Sequence, residues 1–132
     1  MIKIAMKPII ERVQNRFIFL VDQGYGEWGI TTHEILGRIL YKYTSIANEI
    51  DLEICEYGFS YKLASQDFFI FFHEITDIED TPTLRDIMVI SRDKRFDDLI
   101  SFYMVTNSGR YFMKLPFRVE NEFTTFIYRL IP

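Results

Sequence analysis

The amino-acid sequence predicts an α+β fold in a single domain over residues 1–132. It is a mostly antiparallel sheet packed against one long helix and a C-terminal helix. Three observations predict it. Apolar residues recur at helical spacing over 35–50, polar and apolar residues then alternate over 49–63, and 99–115 reads as two strands around Asn107, Ser108 and Gly109. A chain of 132 residues suffices for one buried core, and no repeat, low-complexity tract or linker divides it.

The elements run in order along the chain. Ile2, Ile4 and Met6 alternate with Lys3 and Lys7, predicting a short strand that ends at Pro8. Residues 17–21 predict a second strand, stopped by Asp22, Gln23 and Gly24, and a glycine-rich turn fills 24–29. Thr31 and Glu34 have the spacing of a capping box, in which hydroxyl and carboxylate satisfy free amides at a helix start. Ile35, Ile39, Tyr43, Ile46 and Ile50 then form one face of a helix of about four to five turns. Ile50, Leu52 and Ile54 alternate with Glu49, Asp51 and Glu53, so a strand here sets these carboxylates on one face at intervals of about 6–7 Å. Glu49 and Ile50 fit both periods, which leaves the switch point open.

Gly58 interrupts or bulges that strand, and Phe59, Tyr61 and Leu63 continue the alternation. Ser65, Gln66 and Asp67 form a turn before 68–72, a strand apolar on both faces and therefore central. Residues 77–82 predict a loop. Beyond it, Pro82 starts a short helix through Leu84, Ile87 and Met88, or Val89 and Ile90 mark a strand. After the hairpin, Asn121 caps a final helix with Phe123, Phe126, Ile127 and Leu130 on its apolar face.

Catalytic and cofactor motifs are weighed against plainer readings. Gly24, Gly26 and Gly29 match the spacing of a dinucleotide fingerprint, after a predicted strand and before a predicted helix. Glu27 would repel a pyrophosphate, however, and the cap at Thr31 starts the helix beyond the glycines. A surface turn is the simpler reading. His33 and His73 are the only histidines, Cys55 is the only cysteine, and none has metal-ligand spacing. A Cys55–histidine dyad needs the fold to bring the pair together. Asp77, Glu79 and Asp80 lack the glycine and terminal glutamate of a calcium loop. The doublets Glu79-Asp80 and Asp97-Asp98 point to opposite faces of a strand and make no acid/base pair. The expectation is a protein that is not an enzyme and takes no cofactor and no metal.

Composition narrows the setting. A lone cysteine forms no intrachain disulfide, Lys3 and Lys7 interrupt the N-terminus unlike a signal peptide, and the apolar runs 17–21 and 68–72 are too short to span a bilayer. A cytoplasmic protein with no membrane partner is expected. The sequence pI near 5.2 argues against direct nucleic-acid binding, although Arg85, Arg92, Lys94 and Arg95 cluster. Aromatic content of 17% predicts an aromatic core with a few tyrosines kept for an interface.

Charge is the one feature that points outward. Residues 49–80 carry nine acids against the single base Lys62, a net −8, whereas 1–48 and 81–132 each carry +2. An acidic run is ordinarily a solvated face, but like charges along one strand repel and favour a cationic partner. The expected contact set is Glu49, Asp51, Glu53 and Glu56 with Tyr57 and Tyr61, and Glu74, Asp77, Glu79 and Asp80 beside them. In kind, this chain resembles the immunity proteins of bacterial toxin systems, including contact-dependent growth inhibition. The likeness lies in small size, acidity, richness in Phe and Tyr, and the lack of a catalytic motif. No shared motif carries residues over. The resemblance implies a non-enzymatic inhibitor that binds the toxic, nuclease-like domain of a cognate toxin and covers its active site. The alternatives are a phage-type inhibitor that mimics nucleic acid and a small nucleotide-binding or enzymatic domain using the glycines of 24–29. Oligomeric state is left open.

Overall fold

A computed structural model of the chain describes residues 2–80 and 98–131, the side chains of 2–8 and 80 excepted. The fold is α+β, with antiparallel sheets of six and three strands and two α-helices among the described residues. It divides into two compact units, Met1–His73 and Glu74–Pro132.

The first unit opens with α1 (Ile2–Asp22), followed by β1 (Glu27–Trp28), β2 (Thr32–His33), β3 (Gly37–Ser45), β4 (Ile50–Cys55), β5 (Gly58–Leu63) and β6 (Gln66–Phe71). The strand order is β1-β3-β4-β5-β6, with β2 also paired to β3. The two strands expected at 2–6 and 17–21 are therefore one helix. Ile9, Val13, Phe17 and Leu20 are buried at spacings of four, four and three, while Phe19 is 66% exposed. The unbroken apolar run of 17–21 hid that period. α1 lies against β3, with Phe17 stacked on Tyr41 at 4.6 Å between ring centroids. The Tyr41 hydroxyl donates to the Tyr25 carbonyl, and burial, with Tyr43 nearby, raises its pKa well above the usual phenol range.

The long helix expected over 35–50 is instead β3, a turn and the start of β4. A spacing of four is a multiple of two as well as close to a helical turn, so Ile39 and Tyr43 fit either period. Tyr41 and Tyr43 face the core, whereas Ile35 and Ile46 are 49% and 89% exposed. The capping box does not form. The Thr31 carbonyl accepts from Ile39 N–H at 3.0 Å, and the two amides at this corner, Ile35 and Leu36, both donate to His33 Nδ1 at 3.1 Å. β4 and β5 alternate as expected, burying Ile50, Leu52, Ile54, Phe59 and Tyr61. The expected turn at 65–67 shortens to two residues before β6. β6 lies at the edge of the sheet, not its centre, with Phe69 42% exposed.

The second unit holds β7 (Ile75–Asp80), β8 (Leu99–Thr106), β9 (Gly109–Pro116) and α2 (Phe117–Tyr128), in the order β7-β8-β9. The loop expected at 77–82 is strand as far as Asp80. The β8–β9 hairpin forms as expected, with Ser108 N–H donating to Thr106 Oγ1 at 3.2 Å. α2 starts directly after Pro116, earlier than the expected cap at Asn121. Asn121 is a mid-helix residue whose carbonyl accepts from Thr125 Oγ1 at 2.8 Å. Of the apolar face expected for this helix, Phe123, Phe126 and Ile127 are buried, with Val119 beside them and Phe102 packed on Phe123 at 6.3 Å, whereas Leu130 lies past the helix end at Tyr128 and is half-buried. The helix or strand expected between Pro82 and Ile90, and the basic cluster of Arg85, Arg92, Lys94 and Arg95, lie outside the described residues.

Candidate functional site

The sheet of the first unit has an inner face toward α1 and an outer face toward solvent. Strand alternation sends Tyr41, Leu52, Tyr61 and Phe68 inward and Lys42, Asp51, Glu53, Ser60, Lys62 and Asp67 outward. Register then assembles rows across the strands. Thr44 lies opposite Asp51, Asp51 opposite Lys62, and Lys62 opposite Asp67. The next row runs Lys42, Glu53, Ser60 and Phe69. A cleft of about 220 Å³ opens on this face, lined by His33, Asp51, Glu53, Ser60, Tyr61, Lys62 and Asp67.

The carboxylates here are held by neighbours. Thr44 Oγ1 donates to Asp51 Oδ1 at 3.1 Å, and Ser60 Oγ donates to Glu53 Oε1 at 3.0 Å. Lys42 Nζ stands 3.7 Å from Glu53 Oε2, a partly exposed pair worth at most about 1 kcal/mol. The repulsion expected along β4 is thus partly offset by Lys42 and Lys62. His33 supplies the cleft's edge. Its Nδ1 accepts two amides, so the neutral ring carries its proton on Nε2, as a donor.

An aromatic row continues from the cleft along β6. His33 lies 5.8 Å from Phe69, Phe69 lies 6.1 Å from Phe71, and Phe71 stacks on His73 at 5.5 Å and 19°. Both histidines of the chain therefore bracket the outward phenylalanines of the edge strand.

The expected contact residues separate. Asp51 and Glu53 line the cleft, but Glu49 does not join them: it sits in the β3–β4 turn at φ 55°. Glu56 is engaged by its own backbone surroundings, its Oε1 accepting from Arg38 N–H at 2.8 Å. Tyr57 is exposed, whereas Tyr61 is only 1% exposed and belongs to the core, because it falls on the inward parity of β5. Glu74, Asp77, Glu79 and Asp80 lie in the second unit. Asp77 Oδ1 accepts from Ile78 N–H at 2.8 Å, and Glu79 pairs with Arg110 at 3.0 Å, whose guanidinium lies 4.3 Å over Tyr103. Asp80 ends β7, and its side chain lies outside the described part.

Asp67, Ser60, Lys62 and His33 were not chosen from sequence. The missing signal was register: 68–71 is an unbroken apolar run with no alternation of its own, and only pairing with β5 sets Asp67 and Phe69 on the outer face.

The rival chemistries lose their context. Gly24 ends α1, not a strand: at φ 85° it closes the helix as Tyr25 N–H reaches the Leu20 carbonyl (2.7 Å) and its own N–H the Val21 carbonyl (3.1 Å). Gly26, at φ 102°, leaves room for the Tyr41 hydroxyl, and Gly29 abuts the Ile39 carbonyl. The next elements along the chain are β1 and β2, so these glycines do not lead into a helix N-terminus as the fingerprint requires. Cys55 is buried, and desolvation, then the charges of Glu53 and Glu56, push its thiol up to about 12. It is a neutral thiol at physiological pH. Among the described residues, no group of three or more His, Cys, Asp or Glu is placed to hold a metal ion. No helix there is long and apolar enough to cross a membrane. Compared with protein-family models, with curated proteins and with solved structures, the chain matches none.

Proposed function

We propose that this protein is a non-enzymatic, protein-binding inhibitor that receives a basic partner on the outer face of β3–β6. The observation that carries the reading is the gathering of Asp51, Glu53 and Asp67 around one cleft beside the exposed ring of Phe69. Carboxylates grouped in this way draw a cationic surface and raise its rate of encounter. Phe69 and Tyr57 add half-exposed aromatic area of the kind that holds a complex once formed. The resemblance in kind to immunity proteins narrows the partner to the nuclease-like toxic domain of a cognate bacterial toxin, met in the cytoplasm and blocked by covering its active site. The acids of the second unit form no part of this reading.

The test is the double reversal Asp51→Lys/Glu53→Lys. The partner is first recovered by capture on the tagged wild-type chain, and association is then timed at low and high salt. The reversal should slow association about tenfold or more at low salt and flatten its salt dependence. Unchanged kinetics would remove this face from the interface.

A further inference from the structure

β6 presents an edge that no other strand pairs with among the described residues. Which of its backbone groups point outward is fixed by one bond. Phe72 N–H donates to the Tyr57 carbonyl at 3.0 Å, so in an antiparallel ladder Ile70 and Phe68 also turn their amides and carbonyls toward β5. Asp67 and Phe69 turn theirs away. Both residues are exposed, and β6 carries no proline or lysine of the sort that protects sheet edges from a further strand.

The side chains beside this edge specify what fits. Asp67 and Phe69 share the outer face, next to a cleft lined by the acids Asp51, Glu53 and Asp67 against one base, Lys62. A strand added about 4.8 Å beyond β6 would place alternate side chains opposite Asp67 and Phe69. A Lys or Arg there meets a carboxylate and an exposed aromatic face together, and both favour a cation.

We propose that β6 is a strand-addition site, and that its occupant is an extended, basic segment of the protein partner, pairing through the backbone of Asp67 and Phe69. The proposal rests on the binding reading above and deepens it: charge on the sheet face steers, and the edge of β6 takes hold.

The probe is a fluorescent octapeptide of alternating Lys and Val, with a Glu–Val octapeptide as its counterpart, read by anisotropy. The decisive variant is Phe69→Pro. It removes an outward N–H and the Phe69 ring together, which hydrogen exchange separates, while the β5–β6 ladder, which does not use that N–H, is left in place. Wild type should bind the Lys–Val peptide and not the Glu–Val one, and Phe69→Pro should weaken binding at least tenfold with its melting curve unchanged. Hydrogen exchange on the wild type gives an independent readout. Peptide should slow exchange at Asp67 and Phe69, and leave Phe68 and Ile70, already bonded to β5, as they were. No binding by wild type at millimolar peptide, or equal binding by Phe69→Pro, overturns the proposal. A concentration-dependent dimer that Phe69→Pro dissolves overturns it in favour of a second copy of the chain as occupant. If Asp51→Lys/Glu53→Lys abolishes binding and Phe69→Pro does not, the edge is excluded while the acidic-face reading stands.

Discussion

Phe17 and Phe19 are two residues apart, and their fates separate a helix from a strand. On a strand they would share one face and cost the same to remove. On α1 they are about 200° apart around the axis. Phe17 is fully buried and stacked on Tyr41, while Phe19 is 66% exposed. A buried phenylalanine removes roughly 150–250 Å² from water, worth about 4 kcal/mol or more at about 25 cal/mol per Å². Truncation to alanine leaves a cavity as well, so Phe17→Ala should cost about 3–5 kcal/mol. That is a large share of the ~5–15 kcal/mol a domain has in hand. Phe19→Ala should stay within about 0.5 kcal/mol. Urea unfolding followed by the fluorescence of Trp28, the single tryptophan and a member of the same unit, reads both. For a slope of about 2 kcal/mol per molar, the midpoint should fall by roughly 2 M for Phe17→Ala and barely move for Phe19→Ala. Equal losses from the two variants would refute the helix and restore the strand.

Two other positions give outcomes as definite. Folded protein holds the Cys55 proton to about 12 while the unfolded chain loses it near 9.0, so stability should fall as pH rises between these values. Buried Tyr41 adds a contribution of the same sign. Urea midpoints should drop from pH 8 to pH 10 and drop less in Cys55→Ala, and thiol reagents should label Cys55 only on unfolding. Rapid labelling of the folded chain at neutral pH would contradict the burial. Asn121→Ala should change stability by no more than about 0.5 kcal/mol, because an exposed mid-helix position favours alanine. A loss of about 1 kcal/mol would mark Asn121 as a cap after all.

The resting arrangement of charge also bears on how selective the face is. Asp51 and Glu53 are bonded to Thr44 and Ser60 before any partner arrives. These bonds fix the carboxylates in place, so less side-chain freedom is lost on binding. The nearby Lys42 and Lys62 keep the unoccupied face from repelling itself, and a partner must compete with them. A face built this way favours a partner with cations at set positions over any polycation.

Elements whose pattern admits one period were legible in the sequence. Alternation in β4 and β5, the hairpin at Asn107 and the apolar stripe of Phe123, Phe126 and Ile127 all appear where the pattern places them. So does the acidity of the middle of the chain, since charge is a property of composition. The rest was decided by tertiary contacts. The apolar run of 17–21 has no period of its own, and only packing of Phe17 on Tyr41 makes it a helix side. Spacings of four between Ile35 and Tyr43 serve a strand as well as a helix, and the sheet selected the strand. Above all, strand order and register brought Asp67 beside Lys62 and across from Asp51, and sent Tyr61 into the core. Periodicity states which side chains share a strand face; only pairing between strands states which of them meet.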